Sequence, residues 1–93
     1  MKHQRHFGIA SDVALRQVAR ISALISDLDR IVRILDSDIA TEEERVRVSD
    51  PFDPTYPVLA RTLTARRDNL KDTIAALEKR LPNLAAVSVP EQA

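Results

Sequence analysis

The chain has 93 residues, of which 44% are hydrophobic, 30% are charged and 3% are aromatic, and this combination fits one folded domain better than a disordered segment. The single glycine argues against all-β and α/β folds, because their tight turns require several glycines. A net charge of zero removes the simplest argument for nucleic-acid or membrane-surface binding, and the absence of cysteine excludes disulfides and thiolate metal sites.

The first segment, residues 1–10, is polar and basic, and we expect it to form a flexible arm. Ser11 then offers an N-cap hydroxyl, and Asp12 places an acid in the first helical turn. His3 and His6 have a spacing that binds metal on a helix, but no carboxylate or thiolate lies near them. We therefore expect no metal site in the arm.

A long amphipathic helix is predicted from about residue 11 to residue 47, without an internal glycine or proline. Its apolar residues follow the alternating steps of three and four that define a coiled-coil seam: Val18, Ile21, Ile25, Leu28, Val32, Leu35 and Ile39. Leu24 and Ile31 widen this face to roughly 140°, which is more than one neighbouring helix covers. Three acids after Thr41 oppose the helix dipole, so the helix either breaks near Ala40 or continues at some cost, and we expect continuation.

The clearest interruption is a proline-rich loop at residues 48–56, with Pro57 opening the next helix. Phe52 and Tyr56 lie in this loop. Two interpretations remain open for them: they bind a partner, or they fold back and plug the end of a helical bundle.

A second helix is predicted at about 57–81, ended by Pro82 and followed by a tail at 82–93. Leucines recur every seven residues in a stripe of roughly 60°, which is typical of contact with one neighbour. Arg67 stands in this stripe, where it either sets the register or snorkels to water.

Together these elements predict an all-α, coiled-coil-like antiparallel two-helix hairpin that dimerises into a four-helix bundle. The hairpin core is assigned to Val18, Ile39, Leu63, Leu70, Ile74, Leu77 and Leu81. The oligomer interface is assigned to Ile21, Leu24, Ile25, Leu28, Ile31, Val32 and Leu35.

No motif in the sequence carries chemistry, so we expect neither catalytic activity nor a cofactor. The residues from Leu24 to Leu35 resemble the first helix of the all-helical chorismate mutases. Those enzymes complete their site with a third helix, whereas only an aperiodic tail follows Pro82, so no residue is carried over.

The expected function is self-association or interaction with another helical protein, in the cytoplasm and without a membrane anchor. The alternative is a nucleic-acid-associated regulator that uses the basic open end of the hairpin, where residues 1–20 and 61–80 each carry a net charge of +3. The sparse aromatic residues and the neutral total charge make nucleic acid the less favoured partner. An enzyme built at a bundle interface ranks third.

Overall fold

The computed structural model describes the backbone of residues 2–88 and the side chains of residues 12–84. It consists of two helices, α1 at Lys2–Val46 and α2 at Val58–Ser88, and contains no strand within residues 2–88. The all-α class expected from the composition is therefore confirmed for this part of the chain. Neither helix, over its described length, is apolar enough to cross a membrane.

The start of α1 differs from the prediction. The helix begins at Lys2, so the expected arm at residues 1–10 is helical from Lys2 onward, and Ser11 is not its N-cap. Met1 lies outside the described residues. Gly8 does not interrupt the helix, because one glycine in a helix costs only about 1 kcal/mol relative to alanine. With no proline in this segment, the helix extends through it.

The left-handed backbone of Arg47 ends α1, and the three acids after Thr41 do not interrupt the helix. The helix passes Ala40 without a break and ends at Val46, where Arg47 adopts a left-handed conformation with a φ of 60°. The amide of Val48 then donates to the carbonyl of Glu43 at 3.2 Å. This bond spans five residues and is the mark of a Schellman motif, which satisfies one of the last free carbonyls of a helix. An arginine occupies the position that usually holds glycine.

The second helix is longer than predicted at its far end. Its first bond runs from the amide of Arg61 to the carbonyl of Pro57 at 3.1 Å, which makes Pro57 the residue just before the helix. Pro82 lies inside α2, which continues to Ser88. The predicted stop at Leu81 is therefore wrong. Pro82 removes one backbone donor, but the leucine and alanines that follow it are good helix formers. Residues 89–93 of the expected tail lie outside the described part.

The chain divides into two compact units, and both helices contribute to each. The loop unit comprises Asp27–Ile74. Within it Ile39 packs with Tyr56 and Ala60, and the side chain of Asp36 contacts that of Arg67. Asp36 precedes Ile39 in α1, whereas its contact Arg67 follows Ala60 in α2. The two helices of this unit therefore run antiparallel and form a hairpin.

The terminal unit comprises α1 as far as Ser26 and α2 from Ala75. Ala14 and Ile21 are its buried residues among those with described side chains. Val18, Ile25 and Leu77 are half-buried. Ala14 lies four residues before Val18, the first residue of the predicted seam, so it extends that seam toward the start of α1.

Candidate functional site

The apolar residues predicted for the hairpin core are all at least partly covered. Ile39 and Ile74 are buried. The others are half-buried: Val18, Leu63, Leu70, Leu77 and Leu81. Among the described side chains the most enclosed large ones are Tyr56 and Ile39, at 5% and 6% exposure. Few of the predicted core residues are therefore fully buried in a single chain, and the four leucines among them remain partly exposed to water.

The residues predicted for the oligomer interface fall into three groups. Ile21, Val32 and Leu35 are buried within the single chain, so they have little surface left for a partner. Ile25 and Leu28 are half-buried. Leu24 and Ile31 are exposed, at 45% and 42%. Ile34, which the sequence analysis did not assign to any surface, is also exposed, at 53%.

Two consecutive turns build the loop between the helices. The amide of Asp53 donates to the carbonyl of Asp50 at 3.0 Å, and the amide of Tyr56 donates to the carbonyl of Asp53 at 2.9 Å. Each turn therefore starts at an aspartate that is followed by a proline, which is the residue order favoured by β-turns. The repeated Asp-Pro pair in the sequence is the signal that predicts this geometry.

The aspartate side chains reinforce both turns. Asp50 accepts the amide of Phe52 at 3.0 Å, and Asp53 accepts the amide and the hydroxyl of Thr55 at 2.8 and 2.6 Å. The hydroxyl and then the amide of Thr55 lower the pKa of Asp53 below its ordinary value, because both bonds favour the charged carboxylate. The loop thus carries fixed negative charge.

Tyr56 closes the end of the helix pair. Its ring is buried against Ile39 and Ala60, with Val48 and Leu63 partly buried beside them. The guanidinium of Arg61 lies over the ring at 5.3 Å from its centroid, within the range of a cation–π contact. Of the two interpretations left open for the loop aromatics, the position of Tyr56 corresponds to the plug.

Phe52 has the opposite environment. Its side chain is 93% exposed, the largest exposure among the bulky apolar residues described. Val58 and Leu59, in the first turn of α2, are also exposed, at 77% and 54%. We refer to Phe52, Val58 and Leu59, together with the carboxylates of Asp50 and Asp53, as the tip surface.

A shallow groove lies beside Leu59. It has a volume of ≈ 340 Å³ and is lined by Asp38, Thr41, Glu42, Leu59 and Leu63. Its floor combines two leucines with two carboxylates. A groove of this composition complements an apolar side chain that is flanked by a cation.

Glu42 is a charged residue that the sequence reasoning missed. It follows Ile39 by three residues and precedes Val46 by four, so it occupies a seam position, and it is buried. Arg45 binds it through two hydrogen bonds, of which the Nη2–Oε2 bond is 3.1 Å long. The bond from Arg45 lowers the pKa of Glu42 and keeps the carboxylate charged despite its burial.

Arg67 combines the two roles considered for it. It occupies a seam position with its side chain half-buried, while its Nη1 donates to Oδ1 of Asp36 at 3.0 Å and its Nε and Nη2 bind Asp68. The two carboxylates, Asp36 first, raise the pKa of Arg67 above its ordinary value. The bond to Asp36 joins α1 to α2, so this arginine also favours one register of the hairpin.

Within the described residues, no cluster of three or more histidines, cysteines or acids is arranged to hold a metal ion. The loop unit presents exposed apolar side chains, carboxylates held by hydrogen bonds and a loop formed by two consecutive turns. The class defined by these features is the all-α helical hairpin. No family model, curated protein or solved structure matches this chain.

Proposed function

We propose that this chain is a cytoplasmic self-association module whose α1 helix packs against α1 of a second copy, so that two hairpins form a four-helix bundle. The observation that carries the proposal is the uneven exposure of the two helices. Bulky apolar residues are exposed along α1 at Val13, Leu15, Leu24, Ile31 and Ile34. Among the α2 residues with described side chains, 58–84, the bulky apolar residues of the exposed class are confined to the first turn, at Val58 and Leu59.

The spacing of the exposed residues supports a helical partner. In the loop unit, Ile31 and Ile34 are three residues apart and therefore neighbours on the helix surface, and half-buried Leu28 precedes Ile31 by three. Leu24 precedes Ile31 by one heptad. A row with this spacing is the surface that a second helix covers, and each apolar side chain that becomes fully buried contributes roughly 1–2 kcal/mol.

The charge of α1 favours a second copy as the partner. Residues 1–20 contain four bases and one acid, a net charge of +3, whereas residues 36–46 contain five acids and one arginine, a net charge of −4. Two α1 helices that run antiparallel therefore place opposite charges next to each other at both ends. This complementarity acts on orientation more than on affinity, because salt screens exposed charges.

Sedimentation equilibrium of the purified chain tests the proposal. We expect the wild type to have twice the 10.4 kDa mass of one chain, and Ile31→Asp to have the mass of one chain. Val58→Asp is the matched control, because it introduces the same charge at an exposed apolar site outside α1. Circular dichroism should show that all three proteins are equally helical. A wild type that stays at 10.4 kDa at the highest soluble concentration would refute self-association.

The nucleic-acid alternative makes a different prediction for the same protein. Binding through the basic segments would retain the chain on immobilised DNA or RNA at low salt and release it as salt rises. Self-association through apolar residues would persist at high salt. Retention on immobilised DNA or RNA, measured at the same two salt concentrations as the sedimentation of the chain alone, therefore separates the two.

A further inference from the structure

Outside α1, the bulky apolar residues that are exposed among the described side chains are concentrated in one stretch of eight residues. Phe52, Val58 and Leu59 all fall between positions 52 and 59, and Phe52 is almost completely exposed. A phenylalanine with this exposure gains more from being covered than any other residue of the tip surface. Binding partners are commonly held by such aromatic side chains when these project from ordered loops.

The loop holds Phe52 in this position. The backbone on one side of it is fixed by the bond from the Phe52 amide to Asp50, and on the other side by the bond from the Asp53 amide to the carbonyl of Asp50. Tyr56, buried in the core, ties down the end of the loop. An ordered loop loses little conformational entropy when a partner binds, so the gain from covering the ring is retained.

The charge around Phe52 selects the kind of partner. From Asp36 to Arg61 the loop unit has seven acids and three arginines, a net charge of −4, and one of these arginines, Arg61, donates to the carbonyl of Asp53 in the loop. This charge repels nucleic acid and anionic lipid surfaces. It attracts a protein surface that carries lysines or arginines.

We infer that the tip surface is a docking site for a basic amphipathic helix of another protein. The apolar face of that helix covers Phe52, and one of its apolar side chains enters the groove between Leu59 and Leu63. Its flanking lysines or arginines face Asp50 and Asp53 and the groove carboxylate of Asp38, since the carboxylate of Glu42 is already bound by Arg45.

The apolar residues of this interface, Phe52, Leu59 and Leu63, are not among those of the proposed dimer, whereas Asp38 belongs to the acidic segment that orients that dimer. Peptide binding tests the docking site and the mass of the assembly tests the dimer, so the two proposals are judged by different measurements.

Isothermal titration calorimetry with designed peptides tests the inference on the full chain. The probe is an amphipathic helix of leucine and lysine, about 18 residues long so that it forms a stable helix. One control peptide has the same composition in scrambled order and therefore lacks an apolar face. The other replaces every lysine with glutamate. We expect binding of the first peptide, at least tenfold weaker binding of the scrambled one, and no binding of the acidic one.

Variants of the chain locate the site. Phe52→Ala should weaken binding of the leucine–lysine peptide by about tenfold or more, as expected for a central aromatic residue. Asp50→Asn keeps an acceptor for the Phe52 amide but removes a charge, and it should weaken binding severalfold at low salt only. Glu78→Gln, which removes an exposed acid of α2 in the terminal unit, is the matched control and should bind as the wild type does.

Three outcomes would overturn the inference. No binding of the leucine–lysine peptide excludes a basic amphipathic helix as the occupant. Equal affinity of wild type and Phe52→Ala shows that the ring does not contribute. A decrease in the mass of the assembly caused by Phe52→Ala shows that the ring contacts a second copy instead. The dimer proposal is judged separately, by the mass of Ile31→Asp.

Discussion

The hydroxyl of Tyr56 donates a hydrogen bond of 2.6 Å to Oε2 of Glu43, a residue 13 positions earlier in α1. This bond links the end of the loop to the last turns of the first helix. The same side chain fills the space between Ile39 and Ala60. One tyrosine therefore closes the hydrophobic cluster and fixes the loop that presents Phe52.

Removal of that hydroxyl should weaken the fold. We expect Tyr56→Phe to lower the free energy of unfolding by about 1–2 kcal/mol, because the ring still packs but a hydrogen bond to a charged group is lost. Urea unfolding followed by circular dichroism measures the change. Glu43→Gln retains an uncharged acceptor and should lose less than Glu43→Ala. Equal stability of Tyr56→Phe and wild type would mean that water replaces the bond without cost.

The ionisation of Tyr56 offers a second measurement. The bond to Glu43, and then burial, raise the pKa of Tyr56 above the ordinary value of 10.0. The protonated form is thus favoured in the folded state, so its contribution to stability is complete below pH 10.0 and is lost as the pH rises through the folded pKa. The chain has a single tyrosine, and its ultraviolet absorbance titration reports this group alone.

Two variants, Glu43→Ala and Tyr56→Phe, test the cause of the raised pKa of Tyr56 and its effect on stability. Glu43→Ala should lower the pKa of Tyr56 toward its ordinary value. Wild type should lose stability above pH 10.0 more steeply than Tyr56→Phe, because the variant lacks the ionisable hydroxyl at position 56. An identical titration of folded wild type and Glu43→Ala would rule out the carboxylate as the main cause.

The Arg67–Asp36 pair should contribute modestly to stability. The Arg67 side chain is 27% exposed and that of Asp36 is 51% exposed, so water screens the attraction. A double-mutant cycle with Arg67→Ala and Asp36→Ala should give a coupling energy of about 0.3–1 kcal/mol at low salt. The coupling should shrink in high salt. Replacement of Asp68 by alanine serves as the control, since this neighbour lies on α2 itself and does not link the helices.

The left-handed conformation of Arg47 predicts a stabilising substitution. Glycine adopts this backbone region without the steric penalty that a side chain imposes, so Arg47→Gly should raise the free energy of unfolding by about 0.5–1 kcal/mol. Arg47→Ala separates conformation from charge, because alanine removes the charge but keeps the penalty. If alanine stabilises the protein as much as glycine does, the charge of Arg47 and not its φ is responsible.

The two loop bonds from Thr55 predict a shift that NMR detects. Thr55→Val removes the hydroxyl donor, so the pKa of Asp53 should rise toward its ordinary value of 3.8. In the wild type the folded pKa lies below 3.8, so the contribution of Asp53 to stability is present above that pH and is lost as the pH falls through the folded value. Carboxyl carbon shifts of Asp53 across an acid titration measure this. Thr62→Val, an exposed threonine of α2, should leave the titration unchanged.

The local features of the chain were accessible from its sequence. The steps of three and four in α1, the leucine stripe of α2 and the prolines from Pro51 to Pro57 predicted two helices and the loop between them. Errors arose where a local signal was overvalued. Ser11 and Pro82 were treated as boundaries, but a serine with capping ability does not have to start a helix, and one proline does not end a helix whose neighbours favour it.

Contacts between distant parts of the chain were decided only by the tertiary structure. Periodicity assigns Ile31 and Val32 to one broad apolar face, whereas packing in the loop unit buries Val32 and leaves Ile31 exposed. The two loop aromatics looked equivalent, yet Tyr56 reaches the cluster of Ile39 and Ala60 while Phe52 faces water. The sequence by itself determined the two helical segments, apart from their outer ends, and the apolar residues within them, because propensity and period act between near neighbours. Which of those apolar residues the chain covers depended on the approach of α2 to α1, and that depends on contacts tens of residues apart.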